Sequence, residues 1–235
     1  MSAVAYINYC KTMPILSVGG KNMKFCVIGL GRFGKQVVKT LHENGAEVLA
    51  VDTLEVNIES IKNYTAQAVC VKVHDEPTLE AIGIDEMDVI IIAIGEDFAQ
   101  SILIAAILKK RSNRYKVIAR ATGQLQKDIF KLIGVDQVIC PEEETAIELA
   151  DTLSYPFTNL ARLDANFLVG LIATPAKFIG KTIAETLLYD KYGITCFAVK
   201  NNDAYKSINQ SYVIVKDDLL VVSGHNKKIE ELLHL

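Results

Sequence analysis

The sequence predicts an α/β protein, a Rossmann-like doubly wound parallel sheet followed by a small α+β C-terminal domain. Three observations lead to this prediction. Short apolar runs alternate with amphipathic helical stretches between Lys24 and Cys140, a glycine-rich turn joins the first run to the first helix, and the alternation stops after Cys140. Strands that are apolar on both faces and alternate with helices indicate a parallel sheet covered by helices on each side.

Six strands and five helices are predicted in the first part of the chain. In order, the strands are KFCVIG, EVLAVD, AVCVKV, DVIIIAIG, KVIARA and QVIC, and the helices span 32–44, 55–64, 77–82, 98–110 and 124–133. Two successive β-α-β-α-β halves make a Rossmann fold, whose ligands bind at the carboxyl ends of the strands.

A different pattern begins after Cys140. Residues 143–153 are predicted to form a helix, which TLSYPFTN ends with a proline and polar residues. Beyond it, the predicted strands are FLVGLIATP, ITCFAVKN, SYVIVK and DLLVVSG, with a turn at NND and helices at KTIAETLLYDKYG and NKKIEELLHL. We therefore expect a disordered extension over 1–22, a nucleotide-binding domain over 23–142, a linking helix and hinge over 143–159, and a C-terminal domain over 160–235.

Composition excludes several classes of function. The net charge of −3 supplies no basic surplus for a nucleic-acid partner. The five cysteines form no C-x-x-C pair and the four histidines are scattered, which disfavours a structural metal cage and fits a reducing cytosol. No apolar run approaches the roughly 20 residues that span a bilayer, and the first 22 residues make a poor signal peptide. We expect a soluble protein.

The turn GLGRFG places glycines at Gly29, Gly31 and Gly34, directly after a strand and before a helix. This spacing permits a tight turn, close approach of a pyrophosphate and close packing of helix on strand. The helix N-terminus then offers N–H groups to phosphate oxygens. We predict a nucleotide site that includes the intervening Leu30 and Phe33; the alternative is a turn without a ligand.

Two further side chains near this turn suggest the type of nucleotide. Asp52, followed by Thr53, ends the second strand, where an acid can accept both ribose hydroxyls and would repel a 2′-phosphate. Adenosine nucleotides or NAD(H) are therefore favoured over NADP(H). Alternatively, Asp52 caps the following helix, and the two roles are compatible. Arg32 can fork onto a terminal phosphate or make only structural contacts.

Candidate residues also follow the later strands. Ile94, Gly95 and Glu96 close the fourth strand, and Gly95 would allow close approach of the ribose or base. Arg120 ends the fifth strand and Glu142 follows the sixth, at the edge where ligands of such sheets bind. The arginine could face phosphate and the acid a cation; alternatively, both are exposed strand ends.

The motifs GLGRFG, VLAVD, VIIIAIGEDF and PEEE, with Arg120 ending strand five, resemble the RCK (KTN) N-terminal domain. The LLYDKYGITCFAVK run resembles the accompanying RCK C-terminal (TrkA-C) domain. From Met23 onward, the chain is similar to KtrA/TrkA-type regulatory subunits of bacterial potassium uptake systems. The resemblance implies a non-catalytic cytoplasmic protein that reaches the membrane through a potassium-translocating subunit of the KtrB/TrkH type. It also implies homodimers that assemble into an octameric ring, which ATP/ADP or NAD(H) reshapes.

Residue by residue, the resemblance implies phosphate binding at the three glycines and ribose binding at Asp52. It implies that Arg32 reaches a γ-phosphate, which can belong to the neighbouring subunit's site, that Arg120 contacts phosphate, and that Glu142 is linked to a cation such as Mg²⁺ between paired subunits. The chain has VKVHDEP where many members have a G-D-A-T-like run, and Asp75 could still serve the adenine side. Some relatives bind cyclic di-AMP through an arginine near the place of Tyr189, so such a site stays open.

Two other classes of function lack the residues that they require. A small NAD-dependent oxidoreductase would need a proton-handling residue facing the nicotinamide, and neither His74 nor His225 has a suitable context. A redox-sensing repressor would need a basic recognition helix, which the sequence lacks.

Overall fold

The structure is a computed structural model that describes residues 23–111, 114–154, 159–163 and 166–233, with only the backbone of Glu230 and Leu233. The expected extension over 1–22 and residues 155–158 of the expected hinge lie outside the described residues. Contacts divide the chain into two compact units, one ending at Glu142 and the other continuing from Glu143.

The first unit is built on a six-stranded parallel sheet in the order β3-β2-β1-β4-β5-β6. Its strands are β1 (Lys24–Ile28), β2 (Glu47–Asp52), β3 (Gln67–Cys70), β4 (Val89–Ile92), β5 (Lys116–Arg120) and β6 (Gln137–Ile139). The strand order reverses between β1 and β4, which is where Rossmann folds bind their ligands. The predicted doubly wound fold is confirmed.

Helices connect these strands. They are α1 (Arg32–Glu43), α2 (Glu55–Glu59), α3 (Glu76–Ala81), α4 (Phe98–Arg111) and α5 (Gln124–Ile133), with 3₁₀ turns at Lys62–Tyr64 and Ile84–Glu86. All four residues of β4 are buried, as are the last three of β1, because helices cover the central strands. α6 (Pro141–Ser154) follows β6, and none of its residues is buried.

Three predicted elements of this unit are clearly shorter in the structure, among them the strand DVIIIAIG, which spans only Val89–Ile92. The helix predicted over 55–64 is wrong as one element, since α2 ends at Glu59 and a 3₁₀ turn follows. The strand predicted as AVCVKV ends at Cys70. β3 is an edge strand that pairs only with β2, and β2 ends at Asp52, directly opposite Cys70. The Val71 N–H still donates to the Asp52 carbonyl (2.9 Å), and beyond it β3 has no further residue of β2 to pair with.

The second unit has a five-stranded sheet in the order β10-β9-β11-β8-β7. Its strands are β7 (Leu160–Arg162), β8 (Phe167–Ala173), β9 (Thr195–Asn201), β10 (Ala204–Ser207) and β11 (Leu219–His225), and its helices are α7 (Ile183–Thr186), α8 (Leu188–Tyr192) and α9 (Asn226–Leu233). Neighbouring strands are antiparallel. Leu168, Ile172, Leu220 and Ile229 lie in its buried core. The predicted small α+β domain is confirmed.

Two predictions about this unit are wrong in detail. SYVIVK is not a strand of the sheet, because Val213 bridges Thr182 in an isolated pair; the strand that follows the predicted turn at Asn202 and Asp203 is β10, which pairs with β9. KTIAETLLYDKYG is not one helix, because Leu187 adopts a left-handed conformation (φ 53°) that separates α7 from α8. Within the described ranges, no helix has the length and apolar character needed to cross a membrane.

Candidate functional site

The glycine turn packs tightly between β1 and α1. The Gly29 N–H donates to the Val51 carbonyl (2.8 Å), and Gly29 has a φ of +97°, which L side chains rarely adopt. A Cβ on Gly34 would lie 1.9 Å from the Gly29 carbonyl oxygen. No side chain fits at Gly34, so this helix can approach the strand closely only with glycine there.

The N-terminus of α1 is suited to an anion. Gly31 is the N-cap and has no side chain to bind the first N–H groups, and the first turn contains no acidic residue. The first N–H groups of the helix therefore have no acceptor from the cap or the first turn, and the partial positive charge of the helix end can attract an anion. Arg32, the first residue of α1, is exposed, and its side chain makes no hydrogen bond or ion pair with the described residues.

Asp52 is hydrogen-bonded to the glycine turn. Its Oδ2 accepts from the Leu30 N–H (2.6 Å). Its Oδ1 accepts from the Leu54 N–H (2.8 Å) and from Nδ2 of Asn57 (3.1 Å). Since Leu54 is the N-cap of α2, Asp52 also holds the start of that helix. The sequence did not suggest Asn57, although an asparagine five residues after the acid was a visible signal.

Arg120 lies against the turn from the other side. Its Nη2 donates to Oε1 of Glu142, and its guanidinium carbon lies 5.7 Å from the centroid of the Phe33 ring. A Cβ on Gly95 would be 2.7 Å from Nη1 of Arg120, so glycine at 95 allows the arginine to cross the end of β4. The Arg120 side chain is only 16% exposed, and its buried Nε has no hydrogen-bond partner in the part of the chain that the structure describes.

Glu142 differs from Arg120 in its exposure. It lies in the first turn of α6 with 59% of its side chain exposed. A hydrogen bond from its own N–H, followed by the hydrogen bond and charge of Arg120, holds the pKa of Glu142 below its usual value against the opposing effect of desolvation. The carboxylate is therefore ionised at neutral pH. Among the described residues, no group of three or more His, Cys, Asp or Glu side chains could hold a metal, so a cation at Glu142 would need further ligands.

The side chain of Asp75 is hydrogen-bonded to Thr78. Its Oδ1 accepts from the Thr78 N–H (2.9 Å) and from the Thr78 hydroxyl, and these two bonds lower the pKa of Asp75. It thus caps α3. Thr53 and Glu96 are exposed. Of the predicted site residues, the structure links Gly29, Leu30, Phe33, Gly34, Asp52, Ile94, Gly95, Arg120 and Glu142 through contacts around the turn.

The strand order, the glycine turn and the acid that ends β2 define the class, a Rossmann domain of the nucleotide-binding type. Residues 25–141 match the family described as TrkA-N domain. The chain is 34% identical to the Ktr system potassium uptake protein A of Bacillus subtilis (strain 168) over 215 residues, 89% of this chain and 95% of that protein. It is 31% identical to the Ktr system potassium uptake protein C of the same organism, over 86% of this chain and 91% of that protein.

The chain therefore belongs to the KtrA/TrkA family of RCK-domain regulatory subunits of bacterial potassium uptake systems, which confirms the resemblance. A third relative, the Ktr system potassium uptake protein A of Vibrio alginolyticus, is 29% identical over 89% of this chain and 96% of that protein. These relatives support a regulatory subunit and not a small oxidoreductase.

Solved structures share the fold. The GsuK RCK domain aligns with a TM-score of 0.51 and 22% identity, over 90% of this chain and 46% of that one. The TrkA-N domain of the inner membrane protein ybaL from Escherichia coli aligns with a TM-score of 0.51 and 20% identity, over 58% of this chain and 99% of that one. A structure titled GsuK channel bound to NAD aligns with a TM-score of 0.50 and 20% identity, over 90% of this chain and 38% of that one. This chain thus spans less than half the length of the GsuK chains.

Proposed function

We propose that this protein is a nucleotide-sensing regulatory subunit that controls a membrane potassium-translocating subunit of the KtrB/TrkH type from the cytoplasmic side. The observation that supports this most strongly is the 2.6 Å hydrogen bond from Leu30 N–H to Asp52 Oδ2. This bond joins the glycine turn, which in Rossmann folds binds phosphate, to the acid that in such folds binds ribose, at the point where the strand order of the sheet reverses. The potassium uptake proteins to which the chain is 31–34% identical support the transport role.

The proposed ligand is ATP or ADP, or NAD(H). Its phosphates would lie on the uncapped N-terminus of α1. Apart from the residues adjacent to it in the chain, no described residue has an atom within 4 Å of a Cβ on Gly31, so packing does not require glycine there, whereas a phosphate close to the backbone would. Asp52 would hold the ribose and disfavour a 2′-phosphate. Arg120, beside Phe33 and Gly95, would contribute positive charge.

The nucleotide would act as a signal without being chemically changed. A ligand shifts an equilibrium between two conformations only by its different affinity for them. Arg32, exposed at the start of α1, would grip the γ-phosphate of a nucleotide bound to the neighbouring subunit and so distinguish ATP from ADP. A coupling free energy of about 1–3 kcal/mol corresponds to a nucleotide affinity that differs about 5- to 150-fold between the two conformations.

The proposed assembly is a homodimer that builds an octameric ring. α6 supports this, because it buries none of its residues and exposes Leu149 and Leu153 at 59% and 78%. Such a face is suited to a second copy of the chain. The proposed cation, Mg²⁺ or another, would join the exposed carboxylate of Glu142 to ligands from the partner.

Potassium uptake tests this function in the host cell. Cells that lack the protein should take up potassium poorly from a medium in which it is scarce, and the wild-type gene should restore uptake. Gly31→Ala, whose methyl meets no described residue within 4 Å apart from those adjacent in the chain, should be present at normal levels and yet fail to restore the response. Uptake that is indifferent to removal of the protein would refute the proposal.

A further inference from the structure

We propose that Asn57 determines how the ribose is recognised: its amide occupies an acceptor position of Asp52, so the carboxylate takes one ribose hydroxyl instead of two. The inference rests on the proposed function, since it requires a nucleotide at the glycine turn. It replaces the expectation from the sequence that Asp52 accepts both hydroxyls.

The hydrogen bonds of Asp52 lead to this inference. An ionised carboxylate has about four lone-pair positions, two on each oxygen. Both positions of Oδ1 are used, by the Leu54 N–H at 2.8 Å and the Asn57 amide at 3.1 Å. One position of Oδ2 is used by the Leu30 N–H at 2.6 Å. One acceptor position remains, on Oδ2, whereas two ribose hydroxyls would need two.

Asn57 is the donor that substitution can remove. The other two donors are backbone N–H groups, one in the glycine turn and one at the start of α2. Asn57 is held by its own helix, where the Ser60 hydroxyl donates to its carbonyl (2.6 Å) and the next residue, Ile58, is buried. Truncating the amide therefore frees the second position of Oδ1 while the turn, Leu30 and α2 keep their main-chain bonds.

The test compares ATP with 2′-deoxy-ATP and 3′-deoxy-ATP in equilibrium titrations of the full-length protein. In the wild type, one deoxy analogue should bind about 10-fold or more weakly than ATP, because it loses a hydrogen bond to a charged acceptor, and the other should bind nearly as well as ATP. In Asn57→Ala, both analogues should bind about 10-fold more weakly than ATP, because both hydroxyls are then accepted. Ser60→Ala is the control, because the Ser60 hydroxyl bonds the carbonyl of Asn57 and not the Asp52 carboxylate. It should keep the wild-type difference between the two analogues.

Equal losses for the two analogues in the wild type, or no loss for either, would overturn the inference without any need for the variant. An unchanged pattern in Asn57→Ala would also overturn it. In these cases ATP still binds, so the proposed function stands. A wild-type protein that binds none of the three nucleotides, and neither ADP nor NAD(H) in the same titration, would instead refute the proposed function, and the inference with it.

Discussion

Arg120 donates a hydrogen bond to Glu142 while its guanidinium packs on the ring of Phe33. The pair thus connects the end of β5, the glycine turn and the first turn of α6. The arginine is largely buried and the acid is largely exposed. A buried guanidinium without its carboxylate would be costly, so Glu142 stabilises the protein as well as offering a charge to a ligand.

Glu142→Gln tests this ion pair. Because the pair is partly exposed, we expect the free energy of unfolding to fall by only about 0.5–1 kcal/mol at pH 7. The folded-state pKa of Glu142 lies below the usual value of 4.5, so its stabilising effect is complete above pH 4.5 and is lost as the pH falls through the folded value. Urea unfolding at pH 7 and at a series of acidic pH values measures both effects. Glu96→Gln, at an exposed position, is the control. If Glu142→Gln remained less stable than the wild type by the same amount in acid, the stabilising role of the ionised Glu142 carboxylate would be contradicted.

Gly34→Ala and Gly31→Ala form a matched pair within the turn. A Cβ at Gly34 would lie 1.9 Å from a backbone oxygen, so we expect a loss of about 3 kcal/mol or more in unfolding free energy, or no folding at all. At Gly31 the same methyl meets no described residue within 4 Å apart from those adjacent in the chain, and stability should change by less than about 0.5 kcal/mol. Chemical denaturation compares them. Equal destabilisation by the two would contradict the packing described for the turn.

Cys70 should be the reactive thiol of the described chain. Cys26, Cys140 and Cys196 are buried, and burial raises the pKa of Cys26 and raises that of Cys196 to about 12, whereas Cys70 is exposed. With a disulfide reagent at pH 8, the number of rapidly reacting thiols per chain should be lower by one in Cys70→Ser than in the wild type. Cys70 lies opposite Asp52, with its Sγ 3.5 Å from the Thr53 carbonyl, so saturating ATP should slow its reaction. Rapid labelling of Cys26 or Cys196 in the native protein, seen by peptide mapping, would be the contrary result.

Asp218 should matter for the stability of the second unit. It is 1% exposed and accepts hydrogen bonds from Asn201, Tyr212 and the Val215 N–H, at 2.9 Å each. Asp218→Ala leaves these donors unpaired and should cost about 2–4 kcal/mol. Asp217→Ala, at the exposed neighbouring position, should change stability by less than about 0.5 kcal/mol. Thermal unfolding of the two variants decides whether the buried carboxylate has this role.

The six-stranded sheet was predictable because continuous apolar strands alternating with helices have few arrangements other than a parallel sheet. The second unit was harder. SYVIVK alternates like a strand, but its buried Ile214 and exposed Val213 result from pairing with the loop before α7. Leu187 in a left-handed conformation is a break that helix propensity does not reveal, because leucine rarely adopts it.

The site was predictable wherever residues follow parallel strands, since such residues meet at one edge of the sheet. Arg120 and Glu142 were expected there for that reason. The contact of Asn57 with Asp52 was not, because it depends on how the short loop between β2 and α2 orients that helix. Asp75 was suggested for the adenine side only by the family resemblance, and in the structure its side chain caps α3.

The most direct test of the account is a titration of the purified wild-type protein and Arg32→Ala with ATP and ADP, with the nucleotides analysed afterwards. We expect the wild type to bind both and leave both intact, and Arg32→Ala to lose about 10-fold or more in affinity for ATP with little change for ADP. Steady formation of product by the wild type, or failure to bind any purine nucleotide, would contradict it.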